Sequence, residues 1–241
     1  LGLPEVPVKR RLRVAYFSTG DEILSLGEPP REGAVYDSNR YSVFGLLTRM
    51  GCEVIDLGVV RDDPPALEAA FRQAASQADA IITSGGVSVG EADFTKAMMK
   101  KLGDVAFWKI AMRPGRPMAV GRLGKCILFG LPGNPVAVMV TFLAFVKPAL
   151  LQMMGGLPST TPYLRAKSAV ALRKKPGRTE YQRGFVRTLQ DGTLQVQAAG
   201  NQGSGVLRSM VEANGLIVLH HHQSSIAVGD EVDVMMFEGV I

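Results

Sequence analysis

The chain has 241 residues, which is enough for one large domain or two small ones. Apolar residues make up 46% of it and charged residues 20%, a composition that excludes intrinsically disordered and collagen-like chains. Lys and Arg number 27 against 22 for Asp and Glu, a net charge of +5. This excess is spread over both halves of the sequence, and no aromatic residues interleave with the basic clusters, so we predict no nucleic-acid partner.

The cysteines and the hydropathy pattern indicate the compartment. Cys52 and Cys126 lie far apart, without the spacing of a disulfide framework or a structural zinc site, which is typical of a reducing cytosol. The longest apolar stretch, from Val136 to Val146, has 11 residues, fewer than the roughly 18 to 20 that span a bilayer. We therefore predict a cytoplasmic protein with no membrane partner. Because the chain begins with Leu1 rather than Met, we also expect it to be a fragment of a longer protein.

The first predicted elements are a strand and a helix. The run from Arg13 to Thr19 is apolar and ends at Gly20-Asp21, which predicts a buried strand that enters a loop. Asp37-Ser38-Asn39 then offers a helix N-cap. The helix that follows, ending at Gly51, carries apolar side chains at helical spacing: Val43, Leu46, Leu47 and Met50.

The same strand and helix unit recurs along the first part of the chain. Further strands are predicted at 53–60, 80–84, 105–111 and 125–131. Further helices are predicted at 67–78, at 92–102 and in the long apolar segment after Pro135. Strands that alternate with helices pair in parallel and bury both faces of the sheet. We therefore predict a three-layer α/β/α domain with a mostly parallel sheet.

The character of the sequence changes at a Gly, Pro, Ser and Thr cluster at 155–162, which is typical of a linker. Short strand-like runs separated by turn signals follow at 164–172, 181–189, 193–198, 215–220 and 231–237. They predict a small all-β barrel or sandwich. The predicted domains are 11–154 for the α/β part and 157–241 for the β part.

A glycine-rich segment from Thr83 to Asp93 follows a predicted strand and precedes a predicted helix. Its backbone amides and the helix dipole can receive an anion, and its glycines let a ligand approach the main chain. Gly85 and Gly90 have the outer spacing of a nucleoside triphosphate loop, but Glu91 stands where such a loop requires Lys, which excludes that class. A strand-to-helix turn without a ligand remains the alternative.

Three acids follow predicted parallel strands: Glu22, Asp62 and Asp93. The carboxyl ends of such strands meet at one edge of the sheet, where ligands bind in open α/β folds. Carboxylates that converge can share a cation, and oxygen ligands favour Mg²⁺. Helix capping is the alternative, most clearly at the neighbouring Asp63, less so at Asp62 and least at Glu22 and Asp93.

Basic and cap residues form two further candidates in the first domain. Lys109 and Arg113 precede a stiff Pro-Gly connection and suit a phosphate or oxyanion substrate, although a solvated basic pair explains them as well. Pro132-Gly133-Asn134 precedes a helix that begins with Pro135, so Asn134 is predicted as its N-cap. This helix N-terminus offers a second anion site or only a well-made cap.

The second domain contributes a predicted polar anion patch of Arg183 and Ser204. His220-His221-His222 is not predicted to bind metal, because neighbouring side chains of a strand point to opposite faces.

Taken together, these motifs make the chain resemble the MoeA-type molybdopterin molybdenumtransferases, the family that includes the E domains of gephyrin and of the plant Cnx proteins. The ordered set spans nearly the whole chain and is specific, although each motif alone is weak. The motifs are Ser18-Thr19-Gly20-Asp21-Glu22, Tyr36-Asp37-Ser38-Asn39, Asp62-Asp63-Pro64, the segment from Thr83 to Gly90, Asp93, the segment from Lys109 to Gly115, Leu131-Pro132-Gly133-Asn134-Pro135, and Gln202-Gly203-Ser204.

The resemblance implies a molybdopterin-binding α/β domain followed by a β-barrel domain. It also implies an enzyme of molybdenum cofactor biosynthesis, which inserts molybdenum from molybdate into adenylylated molybdopterin with release of AMP. The implied cofactor is Mg²⁺, and the implied partners are these two substrates, a second copy of the full-length chain, and a molybdopterin adenylyltransferase.

The resemblance also implies roles for individual residues. Glu22, Asp62 and Asp93 would hold Mg²⁺ in the active cleft, and Lys109 and Arg113 would act on anionic substrate groups. The implied substrate-binding residues of the α/β domain are Thr83, Ser84, Gly85, Gly86, Ser88, Gly90, Pro132, Gly133 and Asn134. Arg183 and Ser204 match barrel positions on the molybdate side. Many members carry Lys at the position of Arg113. In this chain, therefore, a planar guanidinium stands where those members have a compact ammonium.

One departure and two rival functions qualify this expectation. Family members carry an N-terminal region of well over a hundred residues that helps to build the dimer, so we expect this fragment to fold but to turn over poorly. A molybdopterin adenylyltransferase shares the α/β fold and would require ATP. A non-enzymatic scaffold, as in gephyrin, is the rival from another class.

Overall fold

The computed structural model describes residues 2–86, 94–157 and 161–237. The described elements of the first part, in chain order, are β1 (Arg13–Thr19), β2 (Ile23–Leu24), β3 (Val35–Tyr36), α1 (Ser38–Arg49), β4 (Glu53–Val60), α2 (Pro64–Gln77), β5 (Ala80–Ser84), α3 (Phe94–Leu102), β6 (Asp104–Lys109), β7 (Met112–Arg113), β8 (Pro117–Leu123), β9 (Cys126–Leu131), α4 (Pro135–Thr141), a π-helical turn (Phe142–Val146) and α5 (Lys147–Met153). Those of the second part are β10 (Leu164–Ser168), β11 (Thr179–Thr188), β12 (Leu194–Ala198), α6 (Arg208–Val211), β13 (Gly215–Leu219) and β14 (Glu231–Met236).

The described strands of the first part form a six-stranded sheet in the order β4-β1-β5-β9-β8-β6. The first four are parallel, and β8 and β6 join them in antiparallel pairs. The mostly parallel sheet is thus confirmed, and β8 is the strand that the sequence pattern missed. It begins at Pro117 and contains Gly121, and both residue types are typical of a connection rather than of a strand. Proline is tolerated there because it is the first residue of the strand.

Apolar side chains cover both faces of this sheet, as the uniformly apolar strands require. Along β1, Val14 and Tyr16 belong to one cluster of buried residues, which includes side chains of α1 and α4. Ala15 and Phe17 point to the opposite face and belong to a second cluster, with side chains of α2 and α3. The predicted three-layer arrangement is confirmed.

The helical stretch after β9 is longer than its continuous apolar run. It contains a π-helical turn in which the N–H of Lys147 donates to the carbonyl of Phe142, just before Pro148. A proline clashes with the carbonyl four residues earlier, and local widening of the helix accommodates it. Within the described residues, Pro135–Met153 is the one helical stretch long and apolar enough to cross a membrane, and half of it is buried inside the protein. The same length and burial are found in core helices of globular proteins.

The second part is the predicted barrel. Its sheet runs β12-β10-β14-β13-β11, and β12 also pairs with β11, which closes the ring. The pairs are antiparallel except for β10 with β12, which are parallel. Inward-facing aliphatic side chains fill its interior: Val186, Val196, Ile217, Val232 and Val234.

The two parts are joined through backbone and core. Strand β7 of the first part pairs with β11 of the barrel, where Met112 lies opposite Thr179 and Arg113 opposite Glu180. The cluster of buried residues under α1 and α4 also continues into the barrel side chains Leu216 and Met235. The division at 154 and 157 therefore stays a prediction, and a segment from the first side of it completes the barrel sheet.

Candidate functional site

A cleft of about 1000 Å³ lies at the carboxyl edge of the parallel strands, against the barrel. Its floor is formed by the ends of β1, β5 and β9 and by the first turns of α1 and α4. Residues Gln202 to Gly205 of the barrel complete the opposite wall. This is the edge at which open α/β sheets bind ligands, as the order of strands and helices predicted.

A network of buried hydroxyl groups supports the floor. The hydroxyl of Tyr16 lies 2.8 Å from Ser18 Oγ and 2.7 Å from Ser84 Oγ, because β1 pairs with β5 in a register that sets Ser18 beside Ser84. Burial raises the pKa of Tyr16 well above its ordinary value, and the charge of Asp37 raises it further. The phenol therefore stays protonated and holds the two serines in place.

The glycine turn leaves β5 in a conformation that only glycine adopts easily. Gly85 and Gly86 have φ angles of +88° and +61°, and an added Cβ would collide with the Thr19 carbonyl at Gly85 and with the Thr95 side chain at Gly86. Both glycines and Ser84 line the cleft. Ser88, Gly90 and Asp93, the other predicted members of this segment, lie outside the described residues.

Two of the three predicted acids come to the same cleft. Glu22 and Asp62 both line it, and Asp63 rather than Asp62 caps α2, since Asp63 Oδ2 accepts the N–H of Ala66 at 3.0 Å. The capping alternative thus applies to Asp63. Among the described residues, no group of three or more His, Cys, Asp and Glu side chains is arranged to hold a metal ion. A hard cation at Glu22 and Asp62 therefore needs further oxygen ligands from outside these groups.

A fourth acid, Asp37, lines the cleft as well. Sequence reasoning assigned it only to capping, and it does cap α1, with Oδ1 accepting the N–H of Arg40 at 3.0 Å. A cap uses only one carboxylate oxygen. The signal that could have identified it is the Tyr36-Asp37-Ser38-Asn39 motif, which places a second polar side chain two residues after the cap.

Two of the three predicted cations, Arg113 and Arg183, come together in the structure. Arg113 lines the cleft, whereas Lys109, at the end of β6, is exposed and is not among the residues described as lining it. Arg183 is 1% exposed and lines a smaller adjoining cavity of about 80 Å³, together with Arg113 and Arg173. Its guanidinium donates to Ser209 Oγ and to the carbonyls of Asn201 and Gly203 at 3.0–3.2 Å. Burial lowers the pKa of Arg183, and the nearby charge of Arg113 lowers it further.

Asn134 and Ser204 join the two parts of the molecule across the cleft. Asn134 is the N-cap residue of α4 by backbone position, but its side chain makes no capping hydrogen bond. It donates instead to Ser204 Oγ at 3.0 Å, while the N–H of Val136 donates to the carbonyl of Ser204 at 3.1 Å. The barrel therefore supplies the acceptor at this helix N-terminus, where the sequence suggested an anion. Pro132 and Gly133 line the cleft beside it.

Thr83 lies apart from the cleft. It is fully buried within β5, and it is not among the residues described as lining the cleft. Its position one residue before Ser84 directs its side chain to the other face of the strand.

Comparison with known proteins agrees with this architecture. Residues 15–152 match the family described as "Probable molybdopterin binding domain", and residues 165–237 match "MoeA C-terminal region (domain IV)". The chain is 44% identical over its whole length to the molybdopterin molybdenumtransferase of Haemophilus influenzae, of which it covers 60%. It is 36% identical, over 98% of its length, to the molybdopterin molybdenumtransferase of Bacillus subtilis, of which it covers 55%.

The solved structures lead to the same family. The molybdopterin biosynthesis MoeA protein from Pyrococcus horikosii superposes with a TM-score of 0.79 and 29% identity, over 95% of this chain and 55% of that one. The chain thus spans little more than half the length of these relatives. It belongs to the molybdopterin-binding domain family, in the MoeA-type arrangement in which the MoeA C-terminal region follows the molybdopterin-binding domain.

Proposed function

We propose that the protein inserts molybdenum from molybdate into adenylylated molybdopterin, with release of AMP. The observation that carries the proposal is the composition of the cleft. It combines the acids Glu22 and Asp62, the glycine turn and the cation Arg113 with residues of the barrel. A phosphoanhydride substrate and an oxyanion need these three kinds of group together. The relatives named molybdopterin molybdenumtransferase support the same reaction.

The phosphate groups of the substrate fit the glycine turn. Ser84, Gly85 and Gly86 present a hydroxyl and closely approachable backbone at the cleft floor. Pro132, Gly133 and Asn134 form the neighbouring loop, which Asn39 ties to α1 by donating to the Gly133 carbonyl at 2.8 Å. Because these groups are held by the sheet and by one another, they need little rearrangement when a phosphate enters.

Molybdate fits the smaller cavity. Arg113 and the buried Arg183 both line it, and Gln202 connects it to the main cleft. A guanidinium that donates to carbonyls in a buried setting keeps a positive charge available for an oxyanion. Ser204 lies on the main cleft, with its hydroxyl held by Asn134.

Mg²⁺ fits the donor chemistry of Glu22 and Asp62, which are carboxylates that line the cleft. These two side chains would hold it, with Asp93 as a third ligand proposed from the family motif. When bound, the cation neutralises the charge on the phosphoanhydride and makes its phosphorus more electrophilic. Lys109, exposed at the end of β6, lies opposite Pro117 of the cleft lining and would act on substrate anions at the margin of the cleft.

The remaining expectations rest on the family resemblance and on composition. We propose that the full-length protein is a homodimer, that it receives its substrate from a molybdopterin adenylyltransferase, and that it works in the cytoplasm. Cys52 and Cys126 are both buried and form no disulfide, which agrees with a reducing compartment such as the cytosol.

The acids can be tested in the full-length parent. We expect Glu22→Gln and Asp62→Asn each to lower molybdate-dependent AMP release about 100-fold or more. Glu32→Gln, which removes the same charge from an exposed loop, is the matched control and should leave the rate unchanged. Unchanged turnover in both acid variants would exclude the proposed role, and ATP consumption with molybdopterin by the wild type would indicate an adenylyltransferase instead.

The cations can be tested by binding. Arg113→Met is expected to weaken molybdate binding about tenfold or more in a titration, since it removes a charged donor. Arg113→Lys keeps the positive charge and should therefore lose less molybdate affinity than Arg113→Met. Equal affinity of wild type and Arg113→Met would place molybdate elsewhere.

A further inference from the structure

Two hydrogen-bond acceptors at the start of α1 have no partner in the described part of the chain. They are Asp37 Oδ2 and Asn39 Oδ1, both buried, in side chains that are 5% and 8% exposed. Both residues line the cleft. A buried polar atom without a partner costs about 1–3 kcal/mol, and a charged one costs more, so each of these atoms requires a water, an ion or a ligand group as its partner. Because both atoms lie on the cleft, a ligand in the cleft can supply that partner.

The identity of both atoms as acceptors follows from their neighbours. Asn39 places its Nδ2 2.8 Å from the carbonyl of Gly133, which can only accept, so Oδ1 is the atom that remains. In Asp37, Oδ1 is used by the N–H of Arg40. The guanidinium of Arg40 is directed to Asp56 instead, with two bonds of 2.8–2.9 Å, so it makes no ion pair with Asp37.

The surrounding wall suits a flat ring. Val35, Tyr36 and Phe94 line the same cleft and are 56%, 44% and 45% exposed, which is high for large apolar side chains. Apolar and aromatic side chains with exposed faces, beside a few fixed polar atoms, are typical of a heterocycle site.

Phosphate and molybdate oxygens cannot satisfy these atoms. They are acceptors themselves, and the carboxylate of Asp37 repels them. The ligand group at this end of the cleft must therefore carry N–H or O–H donors. The aminopyrimidinone edge of a pterin has two adjacent N–H donors, whereas the amino group of adenine stands beside a bare ring nitrogen, which is another acceptor.

We infer that Asp37 Oδ2 and Asn39 Oδ1 bind the two adjacent N–H groups of the pterin ring and so select the heterocycle of the substrate. The inference rests on the proposed function, because it assigns part of the same substrate to part of the same cleft. Asp37 and Asn39 are specificity residues, and the phosphate and molybdate groups are bound by the glycine turn and the arginines.

The test is a set of ligand-detected NMR titrations of the full-length protein with three probes: pterin, lumazine and AMP. Lumazine has a carbonyl where pterin has its amino group, so it presents an acceptor to Asp37. The variant Asp37→Asn keeps an oxygen for the cap of α1 and replaces the second oxygen with an N–H₂ donor. Asp63→Asn is the matched control, because it makes the same change at the cap of α2. Asp63 is not among the residues described as lining the cleft.

We expect the wild type to prefer pterin to lumazine, and Asp37→Asn to lower the pterin affinity about tenfold and to abolish or reverse that preference. AMP affinity should not change, and Asp63→Asn should behave as wild type. Thermal unfolding followed by circular dichroism verifies that both variants fold.

Three results would overturn the inference. Loss of AMP binding with pterin binding retained would assign these atoms to the nucleotide. Equal losses of pterin and lumazine affinity in Asp37→Asn would indicate that Asp37 has a structural role. A loss of affinity that appears only with added Mg²⁺ would indicate that Asp37 is a metal ligand. Because the readout is binding, its failure is distinguishable from failure of the proposed function, which is measured by AMP release in the wild type.

Discussion

Neighbouring residues of the same type have different tasks in this molecule. Asp62 lines the cleft, Asp63 caps α2, and Asp37 does both. The sequence indicated that acids follow the strands, because each strand must end in a polar loop at the sheet edge. It did not separate a cap from a ligand, since that depends on which backbone N–H each oxygen reaches after folding.

The glycine turn allows a residue-level prediction. Gly85→Ala is expected to cost about 1–2 kcal/mol for a left-handed alanine, and a further 1–3 kcal/mol because its Cβ meets the Thr19 carbonyl. Gly27 is the matched control, with a similar φ of +91° and open space around it. Gly27→Ala should therefore lose only the stability that a left-handed alanine costs, without the cost of the clash. Urea unfolding of both variants measures the difference, and equal losses would contradict the predicted clash.

At the scale of elements, the segment before β1 is tied to the turn before β5 by one carboxylate. Asp79 accepts two hydrogen bonds from Arg10 at 2.6–2.7 Å and one from the N–H of Arg13 at 2.8 Å. The hydrogen bonds and charge of Arg10, with the N–H of Arg13, hold the pKa of Asp79 below its ordinary value. The ionised carboxylate is therefore stabilised by the fold.

This arrangement predicts a pH-dependent loss in Asp79→Asn. A carboxyl with a lowered folded-state pKa contributes stability above its unfolded pKa, and the contribution disappears as the pH falls through the lowered value. We expect Asp79→Asn to be about 1 kcal/mol less stable than wild type at pH 7. The free energies of unfolding of the two proteins should converge as the pH falls into the acid range. Denaturant unfolding between pH 7 and pH 3 measures this, and a constant difference would argue against it.

The helix starts give a second prediction at this scale. Asp63→Ala should cost about 1 kcal/mol, as for an ordinary N-cap. Asn134→Ala should instead lose the hydrogen bond to Ser204, about 0.5–1.5 kcal/mol, and should lose nothing further when Ser204 is already alanine. A double-mutant cycle of unfolding free energies measures the coupling. Additive losses at 134 and 204 would show that the two side chains act independently.

The whole molecule behaves as one packing unit in the described structure. Strand β7 belongs to the barrel sheet, and the buried cluster under α4 contains barrel side chains such as Leu216 and Met235. Separation of the two parts would expose this shared apolar surface to water, at about 25 cal/mol per Å². The linker composition at 155–162 predicted two domains, and it carried no information on the contact between them, because a sequence shows the loop between two elements but not the area buried across it.

The expected consequence is a single cooperative unfolding transition. Calorimetric and van't Hoff enthalpies should agree, and Leu216→Ala, at a fully buried position, should lower the stability of the whole chain by about 2–5 kcal/mol. Val211→Ala, at a position 82% exposed, is the control and should change stability by less than about 0.5 kcal/mol. Two resolved transitions, with only one affected by Leu216→Ala, would mean that the parts unfold separately.

Periodicity and turn chemistry in the sequence alone determined most of the elements, the three-layer and barrel architecture, and the edge of the sheet where the cleft lies. These are local properties, since a strand or helix is encoded by the residues within it. Only the tertiary structure decided that Arg113 and not Lys109 is among the residues described as lining the cleft, and that Asn134 bonds to Ser204 rather than to its own helix. It also decided that one carboxylate oxygen of Asp37 has no hydrogen-bond partner among the described residues. Each of these depends on which distant group comes within about 3 Å of a given atom, and that distance is set by packing between segments far apart in the chain.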